Sequence, residues 1–537
     1  MTTSNAPLTK RKSRIRAAGA IAAGLGMLLA SACSSQSSSS QPTGGAAPTD
    51  HVLKLAFLQD PGQPPDPDIY YAGQGLMLTN NTYQGLLQYQ PGIAQPKIIS
   101  NLATSWKASQ NNSVFTFQLR HGVTFHDGTP FTSAAVEASF ARRLAVNSGP
   151  AYMVQDVKSV TAQGPYSVTV TLKRPNAQFP DYMASPYGPK MMSPTGLTRH
   201  AGKDHAQTYL RTNDLGTGPY QLTEAKTGSQ YQLKAYAKYW GAKPYFTTVD
   251  IPVQADTSTQ QLLLNKGDLA IVMHDLPQSA VQAYRKNTTL KSYSLPTMVS
   301  DFLYVNPHSA MLTNQANRQA LLQAVNVDQI YNQVFAGRAT KSTQAYPANV
   351  MAPGLAKQNI PYSPSALQKI VQSLPASQRT LTVGYDSGQS DNQVVANLLS
   401  AQLANYGVTV KVQSYPTSQI FGWVTNLKGA PDMLLTTGWP DAAPPYMWAH
   451  ISYVTGGGLN YFQCSTPQLD KLVGQGLSTG SNSVFSQVGQ LAAQSGCWDN
   501  LINEDDFMVA QPWLKGVAES HVVSTVNTLN LATLSVG

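Results

Sequence analysis

The residues with most chemistry to offer gather around Asp441. It follows the apolar segment 432–436 and Trp439, and Tyr446 and Trp448 come shortly after it. A carboxylate in a closed cleft needs a cationic or strongly hydrogen-bonding partner. No Lys or Arg occurs between Lys428 and Lys471. The partner is then a ligand amine or a residue from a distant segment; the plain alternative is helix capping or exposure. Trp439, Tyr446 and Trp448 can stack on a peptide side chain, a sugar ring or a cationic group. They can equally pack as core beside a sheet edge. Tyr83 and Phe302 carry the same two readings. Asn460, after Gly456-Gly457-Gly458, can turn a polar group to a ligand or be an ordinary loop residue.

Other titratable groups lack a working set. His121 and His126 have no tight partners, and His126-Asp127 and His274-Asp275 read as structural pairs. There is no His-Glu-x-x-His, no CxxC cluster, no Walker loop and no dinucleotide fingerprint. Distant Asp/Glu pairs establish no catalytic geometry by spacing alone. The reading is a binding protein, not an enzyme, with no cofactor and no protein-only metal site.

Cysteine chemistry depends on compartment. Lys10, Arg11, Lys12, Arg14 and Arg16 precede the apolar segment Ala17–Ala30, and no acid comes before Asp50. That segment is short of the ~20 residues an ordinary spanning helix needs. With the small residues leading to Cys33 it reads as an export signal with a lipoprotein-type processing site, although Ala30 stands where such sites more often carry Leu. A diacylated Cys33 would anchor the chain to the bilayer by two acyl chains, on the extracytoplasmic face of the cell membrane. Residues 34–49, rich in Ser, Pro and Gly, read as a flexible tether. Outside the cytosol Cys464 and Cys497 can form a disulfide; the alternative is two separate buried thiols. Five of the positive charges lie within residues 1–32, so without them the net charge falls from +9 to +4. That is weak ground for nucleic-acid binding, and none is expected.

These groups need elements to hold them. The 537 residues suffice for two to four domains. Phe115, Phe117 and Leu119 alternate as a strand, as do residues 166–172. Thr132 is placed to cap a helix carrying Val136, Phe140 and Leu144 on one side. A helix near 259–265 should stop at Gly267, and helical periodicity runs through 317–335. Residues 381–437 read strand–helix–strand–helix–strand, with Val395, Leu399, Leu403 and Tyr406 on one stripe; that order favours a mostly parallel sheet covered by helices. Junctions around 291–303 and 507–512 are irregular or extended.

The order of motifs resembles the extracellular solute-binding proteins of family 5, the peptide/opine/nickel-type receptors of bacterial import systems. The resemblance rests on Asn81–Tyr89, Leu102–Trp106, Phe115–Arg120, His121–Thr132, Gly216-Thr217-Gly218-Pro219-Tyr220, Tyr239-Trp240, Asn306, Asp328-Gln329-Ile330 and Gly438-Trp439-Pro440-Asp441. The early Leu-Asp-Pro pattern is replaced by Pro65-Asp66-Pro67, and the acid often found shortly after the position of Asp441 is absent near Pro444. The resemblance implies an α/β fold: a two-lobed type II periplasmic-binding-protein-like clamp with an additional subdomain in the first lobe. The expected division is 1–32 signal peptide, 33–50 lipidated cysteine and tether, 51–80 with 206–300 and 508–537 as lobe I, 81–205 as its inserted subdomain, and 301–507 as lobe II. It implies a receptor that delivers short peptides or peptide-like compounds to the transmembrane subunits of an ABC permease. In peptide-binding relatives the acid aligned with Asp441 contacts the peptide N-terminus. An oligosaccharide or aminoglycoside-like ligand is the alternative, and a chelated metal a more remote one.

Overall fold

The computed structural model describes residues 44–537, apart from Gln74, His274, Pro353, Ala356 and Asn359. Cys33, most of the tether and His274 therefore lie outside the described residues. Among the described residues no helix is long and apolar enough to cross a membrane.

Lobe I is built on a four-stranded sheet in the order Val52–Lys54, Thr248–Pro252, Gln230–Ala235, Tyr220–Lys226. The first pair is parallel and the others antiparallel. Alternation buries one face: Leu53, Tyr231, Leu233, Val249 and Ile251 share a core. The helix Thr257–Lys266 is capped by the Asp256 carboxylate, which accepts from Thr259 N at 2.6 Å, and ends at Gly267 with φ +86°.

The inserted subdomain is a second antiparallel sheet, ordered Ala103–Ser109, Val114–Leu119, Ser167–Leu172, Val157–Ala162. Phe115, Phe117, Val168 and Val170 are buried on the face that meets the helix Ser133–Val146. Thr132 holds the N-cap position of that helix, but its side chain makes no capping bond. The Gly216–Tyr220 turn packs on another part of the same lobe. A Cβ at Gly216 would meet the Thr82 carbonyl at 2.0 Å, and one at Gly218 the Asn81 carbonyl at 2.4 Å. Glycine is required there because two backbone segments touch.

Lobe II carries the strand–helix alternation. Thr380–Asp386 lies between Thr409–Tyr415 and Met433–Gly438 and is parallel to both. The helix Ser390–Ala404 covers them, burying Val395, Leu399 and Leu403. The parallel expectation holds for these three strands only, because Met433–Gly438 is antiparallel to Lys291–Val305. Local strand–helix–strand order dictates parallel neighbours; partners from remote sequence arrive in either sense. The helical 317–335 stretch divides into Gln315–Gln323, Val327–Ile330 and a π-turn at Tyr331–Phe335.

Two long strands join the lobes. Lys291–Val305 pairs antiparallel with Trp498–Ala510, from Lys291 opposite Ala510 to Tyr304 opposite Trp498. Leu295, Met508 and Ala510 belong to the core of lobe I. Leu303, Val305, Leu501 and Ile502 belong to that of lobe II. The register slips between Pro296 and Ser300. A slip frees backbone from strict pairing and bends the ribbon there. The crossovers expected as extended junctions are thus paired strands anchored in both cores.

Candidate functional site

A cavity of about 470 Å³ opens at the crossover. Lobe I contributes Asp60, Tyr70, Gly73 and Asp275; lobe II contributes Gln389, Asp391, Asn392 and Trp439; the crossover strands contribute Thr297, Glu504, Asp505 and Asp506. Its size lies within the ~300–1,000 Å³ usual for small-molecule sites.

The floor is a charged network. Arg338 donates from Nη2 to Asp391 Oδ2 at 2.6 Å and from Nη1 to Glu504 Oε2 at 3.4 Å. Asp301 accepts from Thr437 Oγ1 at 2.6 Å. Its other oxygen has no donor while both it and Glu504 are ionised. The two carboxyls are within hydrogen-bonding reach of each other. Burial pushes Asp301 up to about 6, against hydrogen bonds from Thr437 and Glu504 that pull it down, and burial together with the charge of Asp301 pushes Glu504 well above the carboxylate range. One proton shared between them satisfies the orphan oxygen. Asp506 is held by His521 Nε2 at 2.8 Å and Asn527 N at 2.7 Å.

Trp439 carries this wall toward Asp441. Its indole N–H donates to Tyr187 Oη at 3.2 Å, and Tyr187 packs edge-on against Tyr71 with ring centroids 5.4 Å apart. The Tyr71 hydroxyl donates to Asp441 Oδ2, and Tyr152 Oη donates to the same oxygen at 2.7 Å. Among the described residues nothing donates to Asp441 Oδ1. Burial pushes the Asp441 carboxyl up, and the two tyrosine hydroxyls pull it back only in part. The group is a semi-enclosed acid with no ion pair among the described residues.

The remaining residues singled out from sequence sit elsewhere. Phe302 stacks on Trp448 at 4.6 Å, and both are 1% exposed within the main core. Tyr446 stacks on His450 at 5.1 Å. Tyr83 is buried against Met192, Leu210 and Leu215. Asn460 donates to Val454 O at 3.0 Å and accepts from Cys464 N at 2.8 Å, holding its loop shut. Cys464 and Cys497 form a disulfide. His126 pairs with Asp214 and with Gly218 O at 3.0 Å, inside the first lobe. Among the described residues no group of three or more His, Cys, Asp or Glu could hold a metal ion.

Arg338, Asp391, Asn392 and the run Glu504-Asp505-Asp506 were not singled out as site residues from the sequence. One signal pointed to the run: three consecutive acids in a chain with only 27 Asp and Glu.

Comparison with known proteins now bears on the cleft. Residues 97–460 match the family model described as bacterial extracellular solute-binding proteins, family 5 middle. The chain belongs to this family. Among curated relatives of this solute-binding protein is the probable D,D-dipeptide-binding periplasmic protein DdpA of Escherichia coli (strain K12). It is 26% identical over 445 residues, 82% of this chain and 85% of that protein. The glutathione-binding protein GsiB of Shigella flexneri is 25% identical over 457 residues, 82% and 84% of the two chains. NikA from Brucella suis, solved with Fe(III)-EDTA, has the same fold at a TM-score of 0.79 and 20% identity, covering 90% of this chain and all of that one. DppA from Helicobacter pylori, solved with the peptide STSA, superposes at 0.75 with 20% identity, covering 90% and 98%. The family-5 architecture is therefore that of the two-lobed clamp with a subdomain inserted in its first lobe.

Proposed function

We propose that this family-5 protein is the capture subunit of an ABC importer, taking short peptides or peptide-like compounds and delivering them to a permease. In this reading Cys33 carries the lipid anchor, and the clamp stands on the outer face of the cell membrane. One observation carries the ligand assignment: Trp439 in the wall of a cavity lined from both lobes is linked through Tyr187 and Tyr71 to Asp441, whose Oδ1 has no donor among the described residues. A peptide ammonium group is the cation that this acid lacks. The dipeptide- and glutathione-binding relatives agree with that class. An oligosaccharide or aminoglycoside-like ligand is the second reading, favoured by the acidic lining, which suits an aminated sugar.

D441N tests the assignment. The variant keeps size and hydrogen-bonding capacity but loses the charge. A hydrogen bond to a charged group contributes about 1.5–3 kcal/mol, so peptide affinity should fall roughly tenfold to a hundredfold. Acetylating the peptide's amino terminus should weaken binding to the unaltered protein by a similar factor and to D441N far less. If the unaltered protein binds free and acetylated peptides equally, Asp441 does not read the amine.

A further inference from the structure

The cavity's charge is opposite to that of the chain. The whole sequence carries +9, yet six acidic residues line this space: Asp60, Asp275, Asp391, Glu504, Asp505 and Asp506. Arg338 is the basic residue in the lining, and Asp391 and Glu504 already engage it. Even with a proton shared between Asp301 and Glu504, and with the charge of Arg338 counted, the wall remains negative. A concave low-dielectric wall of one sign concentrates ligands of the other.

A separate observation points the same way. Asn392 lines the cavity and is 1% exposed. Its amide nitrogen donates to Gln389 Oε1 at 2.5 Å and Thr437 Oγ1 at 3.2 Å. Both donor directions are thereby used, which fixes the amide orientation. Its Oδ1 has no partner. A buried amide oxygen left unpaired costs about 1–3 kcal/mol, and a ligand N–H would remove that cost. Arg338 Nε, also buried without a partner, is a donor for a ligand carbonyl.

We propose that this wall is a cation subsite, formed by Asp391, Asn392, Glu504 and Asp505 with Asp275 opposite, which takes the ammonium or guanidinium group of a Lys or Arg side chain. The inference rests on the peptide reading above and narrows it to peptides bearing a basic side chain. It is distinct from recognition of the peptide's amino terminus by Asp441.

Calorimetry on the full chain tests it with four probes: Ala-Lys-Ala, the same peptide acetylated on the lysine side chain, Ala-Ala-Ala, and spermidine. Ala-Lys-Ala should bind at least ~10-fold tighter than its acetylated form, as expected for a charge-assisted contact. That preference should shrink as sodium chloride is raised. The double variant Asp275→Asn, Asp505→Asn should reduce severalfold the ratio of affinities for Ala-Lys-Ala and its acetylated form. The salt series on unaltered protein supplies the same reading if the variant does not fold. Equal binding of all three peptides overturns the subsite and leaves the peptide reading standing. Binding of spermidine but of no peptide upholds the subsite and overturns the peptide reading. Binding of none overturns both.

Discussion

Replacing Asp68 by alanine should cost about 3–5 kcal/mol of stability, because it breaks a buried ion cluster from one side. Asp66 and Asp68 lie in the loop after the first strand of lobe I, and Arg142 and Arg143 lie on the subdomain helix Ser133–Val146. Arg142 donates to Asp66 Oδ1 at 2.8 Å, Asp66 Oδ2 at 2.6 Å and Asp68 Oδ2 at 2.6 Å. Arg143 donates to Asp68 Oδ1 at 2.7 Å and to the carbonyls of Tyr187 and Pro67 at 2.8 Å each. All four side chains are at most 5% exposed. Without Asp68, two desolvated guanidinium groups would share one carboxylate. The damage should also reach the cleft, since Arg143 holds the backbone of Tyr187, and Tyr187 supports Trp439. Urea unfolding checks the stability loss, and Trp439 fluorescence checks the wall. A loss below ~1 kcal/mol would mean that water reaches the cluster and screens it.

Removing the disulfide should cost about 3–4 kcal/mol. The bond closes a span of 33 residues, and loop-closure entropy of that length gives this figure in the chain-entropy model. Cys497 is buried at the start of the crossover strand Trp498–Ala510, and Cys464 follows the loop that Asn460 holds. The bond therefore ties that loop to the strand joining both lobes. The double variant Cys464→Ser, Cys497→Ser should unfold at lower urea than the oxidised protein, and reductant should shift the oxidised protein toward it. Coincident unfolding curves would contradict the structural role.

The regular elements were legible because their signals are local. Phe115-Thr116-Phe117-Gln118-Leu119 alternates with period two, and one face is buried as that period requires. Gly267, with φ +86°, ends the Thr257–Lys266 helix where a stop was expected. The family blocks likewise fell on contacts: the glycines of 216–220 touch the backbone of Asn81 and Thr82. The cleft was harder to see, because its lining comes from segments far apart in sequence. Asp391 lies in the first turn of the Ser390–Ala404 helix, a place where an acid is favoured by the helix dipole alone. Nothing near it in sequence shows that Arg338 and Glu504 stand beside it. Aromatic residues were ambiguous for a related reason. Trp439 and Trp448 have the same type and neighbourhood, yet one lines the cavity and the other stacks on Phe302 in the core. Trp439 directly follows the strand Met433–Gly438, whereas Trp448 lies on the helix Pro445–Ser452, and the packing of that helix decides its surroundings. The run Glu504-Asp505-Asp506 also needed the fold. Its place in the cavity wall depends on the pairing of Trp498–Ala510 with Lys291–Val305, partners far apart in sequence.

Mass spectrometry of the small molecules released from the full chain, purified natively from its own host, tests peptide capture most directly. The expected result is short peptides, enriched in Lys and Arg and released in roughly equimolar amount with the protein. Recovery of sugars or metal chelates with no peptide would contradict it.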